Sequence, residues 1–249
     1  MTEHVSIERR GPVQAVRMNR PDKKNAITRA MYRAMADALA AGETDEGVRA
    51  HIFFGVPGAF SAGNDLADFL AVAMGGGAPT EVWDFLQALA SAEKPVLSGV
   101  DGIAVGIGTT LNLHCDLTFA TPRTVLRTPF VDLGLVPEAA SSLLVPERVG
   151  HQRAFALLCL GEGMTAAEAQ AAGLVWRVVD EGVLEETVWE AAEKLAAKPP
   201  EALRLSRRLI KGEPGRVEAR IREEGDLFAQ RLRSDEARAA FEAFMRRKA

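Results

Sequence analysis

A carboxylate beside a proline is the residue of this chain best suited to moving a proton. Glu138 stands in Leu135-Val-Pro-Glu-Ala-Ala-Ser-Ser-Leu-Leu144, with apolar residues on both sides. Two readings of it are open. In the first, Pro137 occupies the first position of a helix, where its missing N–H costs nothing. Glu138 then falls in the first turn and favours the helix N-terminus by roughly 0.3–1 kcal/mol. In the second, Glu138 lies at the bottom of an apolar pocket and works as a base. Burial raises a carboxyl pKa towards the range in which one group both takes and returns a proton.

Two turns offer the other half of such a site. Ser61-Ala-Gly-Asn-Asp65 and Val105-Gly-Ile-Gly108 each combine a small-residue bend with a helix start, downstream of a buried apolar segment. Small residues let the backbone approach a ligand closely, and a helix start presents N–H groups without partners. Two such groups converging on one oxygen make an oxyanion hole. Taken singly, each is also an ordinary strand-to-helix bend.

Other chemistries lack their motifs. Gly106-Ile-Gly108 has no third glycine at dinucleotide spacing and no Gly-Lys-Ser/Thr of a phosphate loop. There is no Gly-x-Ser-x-Gly nucleophile elbow. Cys115 and Cys159 lie in apolar surroundings without metal-ligand spacing, and read as reduced core residues of a cytosolic (cytoplasmic) protein. His114, beside Cys115 and Asp116, reads as structural.

The elements that must hold these residues fit one large domain, or one with an appendage. The chain has 249 residues, 47% hydrophobic and 26% charged, the profile of an ordinary globular protein. A net charge of −4 argues against nucleic acid as the main partner, which needs a basic face. No apolar run is long enough to span a membrane, and residues 1–10 do not read as a signal peptide.

Alternation around Gly11-Pro12 predicts a hairpin over 5–10 and 13–18. Ile27, Met31, Met35, Ala38 and Leu39 recur at helical spacing up to Gly42. Buried strands are expected at 48–54 and 94–100, and short ones at 117–120, 124–127 and 174–179. Helices are expected through Leu66 to Leu70, from about 81 to 90, and opening near Leu111, with a mobile loop over 74–79. Thr165 and Glu168 predict a capping box for a helix ending at Gly173. From Val183 onward only helices follow, at about 183–197, 200–210, 216–232 and 235–247. Lys198-Pro-Pro200 divides a mixed αβ body, residues 1–197, from a helical tail, residues 198–249.

Read in order, the segments resemble the crotonase, or enoyl-CoA hydratase/isomerase, superfamily. Carrying the resemblance are Met18-Asn-Arg-Pro21 with Asn25-Ala26, Phe60-Ser-Ala-Gly-Asn-Asp65, Lys94-Pro95, Gly102-Ile-Ala-Val-Gly106, Cys115-Asp116, Gly150 and Ala172-Gly-Leu-Val175. The resemblance implies an α/β crotonase fold of repeated ββα turns with two approximately perpendicular sheets. It also implies a helical C-terminal region that makes a homotrimer or a dimer of trimers. The implied substrate is an acyl-CoA thioester whose oxygen sits between the backbone N–H groups of Asn64 and Ile107. Adenine and pantetheine contacts would fall around Ala26 and on Ala62, Gly63, Asn64, Asp65 and Leu66. Coenzyme A enters as part of the substrate, and no metal or redox cofactor is implied.

The departures narrow the reaction. The two water-activating glutamates of the family's hydratases would fall at Thr110 and Phe130, and neither is acidic. Val136-Pro-Glu-Ala-Ala-Ser-Ser142 is instead similar to the Pro-Glu-Gly-Cys-Ser-Ser segment of peroxisomal-type Δ3,Δ2-enoyl-CoA isomerases, in which the Glu is the catalytic base. Ala139 stands where that segment has Gly. The expected reaction is a double-bond shift from C3 to C2 through Glu138, with Phe130 and Val136 walling the pocket. The alternatives are a hydratase, a thioester hydrolase or decarboxylase, or a non-catalytic acyl-CoA-binding member. Apolar Leu227, Phe228, Leu232, Phe241 and Phe244 are expected at a subunit interface, and Arg246-Arg247-Lys248 as a solvated helix end.

Overall fold

A computed structural model describes residues 2–68 and 80–246. The helix end at Phe69-Leu70, the loop over 74–79, the side chain of Phe244 and the terminal Arg247-Lys248 lie outside the described residues. β1 (Val5–Arg10) and β2 (Val13–Met18) form the expected antiparallel hairpin, Val5 opposite Met18. α1 (Arg29–Thr44) is capped by the Thr28 side chain on the Met31 N–H, and it runs through Gly42 instead of ending there. Gly42 serves packing: a Cβ on it would come 2.4 Å from the His51 ring.

The chain then steps between two sheets. β3 (Ala50–Phe54) enters the large sheet and β4 (Ala59–Ser61) the small one; β5 (Val96–Val100) with β6 (Ile103–Val105), and β7 (Leu117–Ala120) with β8 (Val125–Arg127), repeat the step. The large sheet has the order β1-β2-β3-β5-β7-β10, where β10 is Arg177–Val178. The small sheet has the order β4-β6-β8-β9, where β9 is Met164–Thr165. A helical turn at 66–68 follows β4, with α2 (Thr80–Ser91) beyond it, and α3 (Ile107–Thr110) follows β6. This is the ββα spiral. Alternation does not reveal the small sheet, because strands of two or three residues are too short to show a period.

Both faces of the large sheet are covered, so β3 and β5 read as continuous apolar runs. On one face Phe53 meets Met31, Met35 and Leu39 of α1 and Phe85 of α2. On the other, Ile52, Phe54, Leu97 and Phe119 pack against Leu184, Val188 and Trp189 of α7 (Leu184–Ala196). Along the chain between β8 and α7 come α4 (Ser141–Val149), α5 (His151–Leu158) and α6 (Ala166–Ala172), the last with its Thr165–Glu168 capping box and left-handed Gly173.

The tail consists of α8 (Pro200–Lys211), α9 (Pro214–Leu232) and α10 (Asp235–Arg246). It folds back on its own chain: Ile221, Leu232, Ala237 and Phe241 are buried in the main core, and Phe228 packs against it. The apolar face expected at an interface is therefore largely satisfied within the subunit, leaving Leu227 half exposed. The exposed apolar side chains of the tail lie mainly on α8, where Leu209 and Ile210 are 83% and 85% exposed. Among the described residues no helix is long and apolar enough to cross a membrane.

Candidate active site

β4 and β6 are parallel neighbours, with Ser61 paired to Ala104. Asn64 and Ile107 each lie three residues beyond that pair. Both therefore emerge at the same end of strands about 4.8 Å apart. The two turns touch backbone to backbone: Gly63 has φ +90°, and a Cβ there would meet the Val105 carbonyl oxygen at 2.9 Å. Gly106, at φ +54°, swings the chain from β6 into α3, whose first residue is Ile107. The expected helix start near Leu111 thus comes four residues early. Among the described residues the backbone N–H groups of Asn64 and Ile107 donate to no protein acceptor.

Polar side chains hold this end of the small sheet from behind. Tyr32, buried on α1, donates its hydroxyl to Asn64 Oδ1 at 2.5 Å. Asn25 is fully buried and donates to the Ala59 and Phe60 carbonyls at 2.9 and 3.1 Å, while Ser61 Oγ donates to the Asn25 carbonyl at 2.8 Å. The loop carrying Ala26 is thereby stitched to β4. The resulting cleft has a volume of about 1170 Å3. Ala26, Ala62, Gly63, Asn64, Asp65 and Leu66, the binding residues expected from sequence, all line it. Ile103, Val105, Phe130, Leu135 and Phe228 give it apolar walls, so Leu135 takes the place expected for Val136. Arg20, Lys23 and Lys24 stand along the same cleft, with Arg20 held by Asp65 at 2.5 Å and by the Ala26 carbonyl at 2.9 Å.

Glu138 follows Leu135 by three residues, and its Oε1 accepts the Thr110 hydroxyl at 2.6 Å. Thr110 closes α3 one turn beyond Ile107, a rise of about 4.5 Å. Asn64 lines the cleft; Glu138, only 6% exposed, and Ile107, fully buried, are not among its lining residues and follow the lining residues Leu135 and Gly106 by three positions and one. Burial pushes the Glu138 pKa up to about 7; the Thr110 hydrogen bond favours the carboxylate and opposes this, and the charge of Glu224 adds to it. Burial and the charge of Glu138 hold the Tyr32 phenol well above its ordinary pKa, so Tyr32 is a neutral donor.

The helix-cap reading of Glu138 is overturned. α4 begins at Ser141, and Pro137 and Glu138 lie outside it, separated by Ala139 and Ala140 at φ +60° and +56°. The carboxylate at that helix start is Glu224 of α9, which accepts the Ala140 and Ser142 N–H groups at 2.6 and 2.9 Å. His114 is buried and donates Nε2–H to the Ala139 carbonyl at 2.9 Å; burial pushes its pKa down to about 4, so it is neutral. Cys115 and Cys159 are free, and burial pushes the Cys115 thiol up to about 12. Among the described residues no group of three or more His, Cys, Asp or Glu is placed to hold a metal ion.

Three residues of this site escape a reading of the sequence. Tyr32 sits in the helical stripe of α1, and its one signal is that a buried hydroxyl needs a partner. Arg20 lies in a polar loop that reads as solvent-exposed. Glu224 gives no local signal, since the N–H groups it serves are 82 and 84 residues away.

The enoyl-CoA hydratase/isomerase family pattern matches residues 8–249. Enoyl-CoA delta isomerase 2 of Rattus norvegicus is 36% identical over 244 residues, covering 96% of this chain and 62% of that protein. The chain thus spans less than two thirds of that relative's length. 1,2-Epoxyphenylacetyl-CoA isomerase of Escherichia coli is 32% identical over 241 residues, covering 94% of this chain and 92% of that protein. The structure of OdaA from Pseudomonas aeruginosa superposes with a TM-score of 0.93 at 42% identity, covering 98% of this chain and 99% of that one.

Proposed function

The chain belongs to the enoyl-CoA hydratase/isomerase family, and from that premise we propose that it shifts the double bond of an enoyl-CoA thioester from C3 to C2. One observation carries the reading: a buried carboxyl, Glu138, accepts the hydroxyl of Thr110, the last residue of the short helix whose start offers the free N–H of Ile107. That helix follows a strand paired with the one that leads to Asn64. The thioester oxygen accepts from both N–H groups. Glu138, as carboxylate, takes the proton from C2, and the C–H electron pair moves into an enolate whose charge rests on that oxygen. Each donor of this kind is worth roughly 10²–10³ in rate. The thioester C=O then re-forms, the C1–C2 pair of the dienolate moves to make the C2–C3 double bond, and the C3–C4 pair takes the proton back from Glu138 at C4. With a pKa of about 7, Glu138 can both accept and return a proton near neutrality.

Phe130 and Thr110 occupy the positions where a hydratase needs carboxylates, and the Thr110 hydroxyl is already given to Glu138. This supports isomerisation over hydration. Arg20, Lys23 and Lys24 supply positive charge beside Ala26, where the phosphates of coenzyme A would lie. The apolar exposure of Leu205, Leu209 and Ile210 on α8 supports a trimer, or a dimer of trimers, in which that helix is covered.

A panel of 3-enoyl-CoA thioesters, followed for 2-enoyl-CoA formation, tests the reading. Hydration of crotonyl-CoA is expected to run at least about 100-fold slower, the usual cost of lacking the acid–base pair. Comparable rates for the two reactions would refute the assignment.

A further inference from the structure

We propose that Glu224 is a positioning residue for this reaction: its carboxylate holds the Glu138 turn in its working shape and keeps a second negative charge beside the base. The inference rests on Glu138 being that base.

The geometry starts from the donors. The first N–H groups of any helix lack intrahelical partners, and a local Ser, Thr, Asp or Asn normally serves them. In α4 the capping residue is Ala140, which offers no side-chain acceptor. Glu224 replaces it from across the molecule, one oxygen on the Ala140 N–H at 2.6 Å and the other on the Ser142 N–H at 2.9 Å, while itself only 5% exposed.

The turn between Glu138 and α4 has need of such a clamp. Two consecutive alanines, 139 and 140, lie in the left-handed region that side chains with a Cβ avoid. The turn is gripped on both sides: His114 binds the Ala139 carbonyl, and Glu224 binds the N–H groups on either side of Ser141. Releasing Glu224 leaves that strained pair free to relax, and Glu138 directly precedes it.

Charge adds a second effect. Glu224 faces Arg220 on its own helix, whose guanidinium also donates to Ser142 Oγ at 3.2 Å and pairs with Glu223. Facing Glu138 from the other elements are Tyr32 and Glu224; His114, with Lys211 and Arg148 around it, faces the turn at the Ala139 carbonyl. Of these groups, Glu224 is the buried anion acting on Glu138, and its like charge disfavours the ionised base.

Glu224→Gln keeps the volume, removes the charge and leaves one oxygen to accept where two did. In protein carrying 13C-carboxyl glutamate, assigned with Glu138→Gln, the Glu138 titration midpoint is expected to move down by about 0.5–1.5 pH units. The acidic limb of kcat should move with it, and the plateau should drop about tenfold with KM within about twofold. Glu224→Asp keeps the charge but loses reach, so its plateau should fall while the limb stays. Wild-type protein supplies a test needing no variant: the Glu138 signal should show a second, smaller inflection where Glu224 titrates. A single inflection would overturn the proposal, as would a Glu224→Gln protein that loses stability while the Glu138 midpoint and kcat stand still. Absence of isomerisation in the wild type would refute the reaction and not the coupling, which the NMR titration decides alone.

Discussion

Replacing Glu138 by Gln should make the protein more stable and far less active, and the stability gain should depend on pH. Glu138 is buried, and its pKa stands at about 7 against an ordinary value of 4.5. The folded state therefore holds the proton more tightly than the unfolded chain does. At pH 4 both states are protonated and the group makes no difference. As pH rises from 4.5 to 7 the unfolded chain releases its proton first, and stability falls by about 1.4 kcal/mol per unit. The loss levels off above pH 8 at about 3 kcal/mol. Glutamine has no such proton, and its Oε1 still accepts the Thr110 hydroxyl. The variant should match wild type near pH 4 and exceed it by about 3 kcal/mol at pH 8, or roughly 6–12 °C in Tm for a protein of this size. Turnover of a 3-enoyl-CoA should fall at least about 10²-fold, because an amide cannot take the C2 proton. In the proposed binding mode the Glu138 side chain does not hold the acyl-CoA, so affinity should change little. Unfolding curves from pH 4 to 8, beside a steady-state assay, check both halves. Parallel stability curves would refute the buried-carboxyl account, and near wild-type turnover would refute the base.

Three further outcomes follow from the same geometry. Ala139→Gly relieves the φ of +60° and should stabilise the fold by about 0.5–1 kcal/mol after the entropy cost of glycine, seen as a Tm rise of a few degrees. Gly63→Ala sets a Cβ 2.9 Å from the Val105 carbonyl oxygen on a residue at φ +90°, so it should displace Asn64 and lower kcat by about 10² in the isomerase assay. If the proposed assembly covers α8, Leu209→Glu with Ile210→Lys should shift the sedimentation profile towards monomer while leaving the helical circular dichroism unchanged; an unaltered profile would refute that assembly.

Periodic elements were legible in the sequence, and pairings between distant residues were not. The stripe of α1, the hairpin and the Thr165 capping box announce themselves locally. So do the small-residue bends at 61–65 and 105–108. Their becoming one site depends on β4 lying beside β6, a contact between three-residue strands too short for any period to show. The tail misled for a related reason: an amphipathic face looks the same whether it covers a partner or its own core, and Phe241 and Leu232 cover their own. The cap reading of Glu138 fails because Pro137 does not set the helix start. Two left-handed alanines delay the helix to Ser141, and a carboxylate 84 residues away takes the first turn.

That displacement bears on the chemistry. The two readings of Glu138 exclude one another physically as well as in position. A carboxylate in the first turn of α4 would accept its free N–H groups and lie at the positive end of its dipole. Both effects favour ionisation, although burial still holds Glu224, which makes these contacts here, above its ordinary pKa. A carboxylate so engaged has its oxygens committed to the backbone and is poorly placed to reach a carbon acid. In this chain those N–H groups go to Glu224, and Glu138, set back beyond Ala139 and Ala140, keeps a single hydroxyl donor from Thr110. One hydrogen bond does not offset burial, so the pKa stays near 7. The proton-shuttle role proposed for Glu138 therefore relies on a different glutamate doing the capping.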